Sequence, residues 1–531
     1  MSQTRGARKA PSKEQSTPQP STTTAPSTSG SSFSPTTAQT QSSIRGARQQ
    51  PQPSSSTRST SETSKPVPDT AATNTPATGI PIKDLQPPPT VGQIRGHALQ
   101  GTTMEDGALS VQLKSDSEGV TQAQRDAHVS KIQKLSEPYM TGSESYPGIE
   151  TALVKLIPAY VGRFHPEVIK EIKASKEVKR VAENQVAKVA GSNAKSAVNS
   201  AKEQLEGPFG PEFEVTPNWA AARVTLTDQD FDRRCAYTWK SGWHRNTQHM
   251  GAQGKGVTIC VVDEGEVNGT DIEQQRILYC EGDVFSSQST SVNPPITTKT
   301  PQDSDANRDP SHSTTVANVA CGTKFGIAPK ANTWIYTLPE VTYTGILVAL
   351  EKIALLNAST YIILNISWGL EGWEKDGHML ADALQGLIKS NVLVVVAAGN
   401  ERKYVDSTCK LWPQNDPSVI VIGNSTSQNN WYGQSNYGPK VDFYAPGVNI
   451  PTQKEDFFVS GSSYSGALFS GILANMLSSE IGTSTKHYTI EEIRKLIREN
   501  YSRPTHKWTY LPPMGSFIEG EVRTVSAIMQ K

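Results

Sequence analysis

Four side chains in this sequence carry the parts of an acyl-transfer site: a carboxylate at Asp263, an imidazole at His312, an amide at Asn400 and a hydroxyl at Ser463. A serine hydroxyl is a poor nucleophile at neutral pH. It needs an imidazole to take its proton and a carboxylate to fix the tautomer of that imidazole and stabilise its charged form. The oxyanion that then develops needs a donor aimed at it in advance, and an amide side chain can be that donor.

Such groups work only if rigid elements hold them. Asp263 ends the apolar run Val257 to Val262, and Asn400 follows the run Val392 to Gly399. His312 opens the small-residue stretch Ser313 to Ala317, and Ser463 lies in the turn-like Val459 to Ala467 before another apolar stretch. Unbroken Val, Ile and Leu runs recur at 333–337, 361–367 and 419–422, with helix-length stretches between them. That alternation predicts strands covered on both faces, joined by helical crossovers into an open, mostly parallel α/β sheet. Functional groups of such sheets gather beyond the carboxyl ends of the strands, where Asp263 and Asn400 fall.

The rest of the chain is uneven. Of 531 residues, 35% are hydrophobic, while Gly and Pro number 40 and 35. The deficit lies at the N-terminus. Residues 1–120 read as a disordered tail rich in Ser, Thr, Pro and Gln, which cannot bury enough surface to offset chain entropy. Residues 130–186 read as a small strand, helix, strand module, with His165-Pro166-Glu167 as a helix start. Residues 187–214 read as a weak helix or linker, and 215–531 as the main domain. The chain balances 51 basic against 51 acidic residues, so neither nucleic acid nor an anionic membrane is an expected partner. No apolar stretch reaches the length of a membrane span, and none follows Met1, which favours an intracellular protein. The five cysteines form no Cys-x-x-Cys pair, which argues against zinc and leaves disulfides open.

Six segments in order carry a family resemblance. Lys255 to Gly265 resembles the aspartate segment of the subtilisin-like serine peptidases, and His312 to Ala317 with Phe325 to Ala331 resembles their histidine segment. Asn365 to Gly369, Ala397 to Asn400, Ser435 to Gly447 and Gly461 to Gly471 follow in the family's sequence. The resemblance implies a subtilisin-like three-layer fold and a serine endopeptidase acting on proteins or peptides, with Asp263, His312 and Ser463 as triad and Asn400 as oxyanion donor. It also implies a specificity pocket walled by Ser367, Trp368 and Gly369 on one side and by Ala397, Ala398 and Gly399 on the other, although Trp368 is large enough to pack in a core instead. Pro217 to Arg223 is similar to the mature N-terminus of the proteinase K branch. Gly162 to Glu183 resembles the end of the family's inhibitory propeptide, which makes the module the chain's own intramolecular inhibitor and puts a processing cut between Gln185 and Val215. By resemblance the protein is secreted. No cofactor is required, and a structural calcium, common in the family, has no carboxylate cluster here to locate it.

The sequence departs from the family around each catalytic position. Glu264 stands where Thr or Ser is usual, adding a carboxylate beside the acid. Ser313 and Asn318 replace glycines and must find space. Tyr464 replaces a methionine after the nucleophile, and Ala467 replaces a proline.

Overall fold

The computed structural model describes residues 108–526, apart from 142–145, 190–212, 235–242, 266, 268, 282–308, 357–360, 372–377, 456, 481–486 and 511–517. The N-terminal tail up to residue 107 and most of the linker therefore lie outside the described residues.

The N-terminal module begins at Ala108, not near 130. Strands β1 (Ala108–Leu113), β2 (Gly148–Leu153), β3 (Ala159–Arg163) and β4 (Val178–Glu183) form an antiparallel sheet in the order β2-β3-β1-β4. Helices α1 (Gln122–Ser136) and α2 (Pro166–Ala174) share its core through Ile132, Val168 and Ile172, against Val111, Ile149 and Tyr160. β1 was hidden in the sequence by its own alternation. Leu109, Val111 and Leu113 enter the module core. Ser110 bonds instead to Thr344 Oγ1 at 3.3 Å, and Gln112 Nε2 donates to Asp382 at 3.0 Å. The polar half of the strand therefore serves the larger domain, and the run reads as polar tail. The stretch expected to be linker also starts differently: Lys188–Val189 forms a short strand, β5.

The main domain is built on nine strands. They are β6 (Val257–Glu264), β7 (Ile277–Glu281), β8 (Asn332–Leu338), β9 (Tyr361–Ile366), β11 (Val392–Ala397), β12 (Ile420–Ser425), β13 (Phe443–Pro446), β14 (Ser502–Tyr510) and β15 (Ile518–Val525). A separate short strand, β10 (Trp368–Glu371), follows β9. The order across the large sheet is β14-β15-β13-β12-β11-β9-β6-β8-β7, and every pairing is parallel except β14 with β15. Successive residues of β6 enter different cores: Val257, Ile259 and Val261 one, Cys260 and Val262 the other. Helices α3 (His312–Cys321) and α6 (Ser462–Glu480) supply the first core through Val316, Ala317, Leu468 and Ile472. Helices α4 (Tyr343–Ala354) and α5 (Met379–Lys389) supply the second through Leu347, Leu350, Leu380 and Leu384. This is the sheet covered on both faces that the apolar runs predict, and the three-layer arrangement that the resemblance implies. Each such fully buried aliphatic side chain contributes roughly 1.5–3 kcal/mol.

The C-terminal hairpin β14–β15 follows helix α7 (Ile490–Asn500) and extends the sheet edge. Pro504 sits where the register slips by a bulge, in the outermost strand, the kind of place where a residue without an N–H does least harm. Among the described residues no helix is long and apolar enough to cross a membrane.

Candidate active site

β6 delivers Asp263 fully buried at its carboxyl end. α3 begins with His312 because Ser311 caps it, its hydroxyl accepting from Thr314 N at 3.1 Å. The cap aims the imidazole at the strand end, and His312 Nδ1 donates to Asp263 Oδ1 at 2.8 Å. The same oxygen accepts from Glu264 N at 2.8 Å. Asp263 Oδ2, His312 Nε2 and the Tyr464 hydroxyl are buried without a hydrogen-bond partner among the described residues. An imidazole held through Nδ1 with Nε2 uncommitted is in the tautomer that can accept a proton at Nε2.

Ser463 occupies the first turn of α6 and is fully buried. Its Oγ donates to the carbonyl of Ser367 at 3.5 Å, a long contact, so the hydroxyl is not yet engaged with the imidazole. Catalytic contacts of this kind commonly shorten only when substrate is bound. The turn before the helix is fixed from the Asn400 side: Ser462 N donates to Asn400 Oδ1 at 2.9 Å, and Gly399 N donates to Ser462 Oγ at 3.0 Å. With its oxygen taken, the amide of Asn400 has its NH2 as donor. Gly399 is required by its backbone: its φ is +98°, and a Cβ there would lie 2.4 Å from Asn436 Nδ2.

The residues expected to wall a pocket divide. Ser367, Ala397 and Ala398 are fully buried beside the serine turn, whereas Trp368 is a core residue. Its indole lies near Trp412 and donates from Nε1 to Val262 O at 2.9 Å, so of the two placements open to it the side chain takes the core. Gln414, which carried no signal in the sequence, ties the two segments together, donating to Ala397 O at 2.9 Å and Trp368 O at 3.2 Å.

The departures from the family find local partners. Asn318 Oδ1 accepts from Asp271 N at 2.9 Å and Thr270 Oγ1 at 3.0 Å, and Ser313 Oγ donates to Gly265 O at 3.2 Å. Glu264 is half-buried, and its carboxyl is pushed up by burial and then by the charge of Asp263. Burial alone would depress the His312 imidazole. The Asp263 carboxylate overcomes that and Glu264 adds to it, so the net shift is upward.

The module reaches this site by a strand. β5 lies antiparallel to β10, with Val189 opposite Trp368 and Lys188 opposite Gly369. On its other side Val186 bridges Thr342, Ala187 N donates to Val341 O at 2.7 Å, and Tyr343 N donates to Gln185 O at 2.7 Å. The module body is anchored by Glu351 of α4, whose carboxylate accepts from the backbone N–H groups of Val154, Lys155 and Leu156 at 2.8, 2.5 and 3.0 Å. Glu351 was another residue that the sequence did not mark.

The chain is similar in sequence to known peptidases. Residues 254–511 match the subtilase family of peptidases. This region is a subtilase domain. Subtilisin-like protease 7 of Arthroderma gypseum is 25% identical over 374 residues, covering 68% of this chain and 80% of the relative. Subtilisin-like protease 1 of Trichophyton rubrum is 24% identical over 343 residues, covering 60% of this chain and 55% of the relative. The chain thus spans about half the length of that second subtilase. The crystal structure of a cold-adapted subtilisin-like serine proteinase is 24% identical, covers 53% of this chain and 91% of its own, and superposes with a TM-score of 0.40. The subtilase family is a family of serine endopeptidases, the class to which the sequence pointed.

Proposed function

We propose that this subtilase hydrolyses peptide bonds in proteins, and that its N-terminal module is its own intramolecular inhibitor. Ser463 Oγ attacks the scissile carbonyl while His312 Nε2 takes its proton and later gives it to the leaving amine. Asp263 holds the imidazole and stabilises its charged form. The Asn400 amide and the Ser463 backbone N–H, at the positive end of α6, receive the oxyanion. The observation that carries this reading is the buried 2.8 Å bond between His312 and Asp263, with its other ring nitrogen uncommitted.

The inhibitory role is supported by β5, which adds a strand between the Val341–Tyr343 backbone and β10 as an extended peptide substrate does when it augments a sheet edge. Its last described pair, Val189 opposite Trp368, lies one residue from Ser367, whose carbonyl accepts from Ser463 Oγ at 3.5 Å, in keeping with a processing cut between Gln185 and Val215. The test is self-cleavage. In a host lacking proteases, the purified wild-type protein should carry a new N-terminus between Gln185 and Val215, and Ser463→Ala should stay intact. Identical processing of both would overturn the reading.

A pH dependence follows from the same geometry. His312 must be neutral to act as base, and its pKa is raised, so the rate falls as pH drops through the raised value. Glu264→Gln removes one of the upward contributions, and the acidic limb of kcat/KM should move to lower pH. An unchanged pH profile would show that Glu264 does not act on the imidazole.

A further inference from the structure

We propose that the cleft selects a cationic residue, Lys or Arg, at the substrate position that pairs with Gly369, and that Glu401 is the group that selects it. The proposal rests on the peptidase reading above and goes beyond it by naming a substrate feature. Lys188 occupies that position in β5, and its Nζ lies 3.1 Å from Glu401 Oε1.

Three features make Glu401 part of the wall and not an incidental surface partner. Its other oxygen, Oε2, accepts from Asn400 N at 3.0 Å and Asn436 Nδ2 at 2.9 Å, and its own backbone N–H donates to Asn436 Oδ1 at 3.1 Å. The carboxylate is therefore locked before any peptide arrives, so little ordering entropy is lost when a cation binds it. The exposures of the two partners differ accordingly: the Glu401 side chain is 19% exposed and that of Lys188 56%, as expected of a fixed host and a guest. Finally, the neighbouring carboxylate, Glu371 at the end of β10, already holds Lys403 at 2.7 Å, which leaves Glu401 as the acid that meets the guest. Because Glu401 follows Asn400 directly, the same side chain that reads the cation also braces the backbone of the oxyanion residue.

Internally quenched fluorogenic peptides matching residues 184–195, and carrying Lys, Ala or Glu at the position of Lys188, test this with the protein purified from expression of the full chain. The partly exposed pair predicts kcat/KM in the order Lys, Ala, Glu, with each step roughly two- to fivefold. The preference should shrink at high salt, because such pairs are screened. Glu401→Gln keeps an oxygen to accept from Asn400 N but removes the charge, and should collapse the order. Equal rates on the three peptides with wild-type protein, or an order that survives Glu401→Gln, would overturn the proposal. A wild-type protein inactive on all three would instead overturn the peptidase reading on which it rests.

Discussion

Ser463→Ala should reduce hydrolysis of a protein substrate by about a million-fold in kcat, the magnitude measured for loss of the nucleophile in another subtilase and not one obtained from this chain. The reason is that Ser463 supplies the hydroxyl that His312 and Asp263 are proposed to activate. The serine before it, Ser462, is committed elsewhere: its Oγ accepts from Gly399 N and its backbone N–H is bound to Asn400. The substitution removes one atom from a fully buried site, so folding should be little affected. A thermal melt of the variant beside the wild type checks that point, and progress curves on a denatured protein substrate check the rate. A residual rate within tenfold of the wild type would mean that another group is the nucleophile.

The second large effect belongs to Asn400. Asn400→Ala should lower kcat by about 10²–10³-fold with KM little changed, a magnitude measured for the equivalent type of donor in another subtilase. An oxyanion donor acts on charge that exists only in the transition state, so its loss appears in kcat and not in ground-state binding. Asn400 has a second role that sharpens the test, because its Oδ1 anchors Ser462 N at 2.9 Å. Asn400→Asp keeps an oxygen acceptor for that anchor but replaces the NH2 donor with a charge that opposes the oxyanion. If positioning of the turn were the whole role of Asn400, the aspartate variant would retain most of the activity. If the oxyanion contact dominates, it should be at least as impaired as the alanine variant. Steady-state kinetics on one peptide separate the two.

The central sheet and the four chemical groups were legible because both signals are local. Strands buried on two faces must be continuously apolar, as in Val392 to Ala397 and Ile420 to Ile422, and the groups sit where such runs stop. The start of the module was not legible. Ser110 and Gln112 are polar because they bond to Thr344 and Asp382, residues more than two hundred positions away in sequence. β5 has only two residues and draws its pairing from Trp368 and Gly369, so no periodicity announces it. Glu401, Glu351 and Gln414 matter through partners that the fold brings to them: Lys188, the Val154 to Leu156 backbone, and the carbonyls of Ala397 and Trp368. Trp368 could be read either as pocket wall or as core. The deciding contact is a hydrogen bond to Val262 in another strand.

The central claim is that Ser463 is a nucleophile activated by His312 and Asp263. A fluorophosphonate probe reacts covalently with such a serine and spares ordinary ones. Mass-spectrometric mapping of the adduct on purified protein should therefore find it on Ser463, absent in His312→Ala and in Ser463→Ala. An unlabelled wild-type protein, or an adduct that persists at another residue when Ser463 is replaced, would contradict the account.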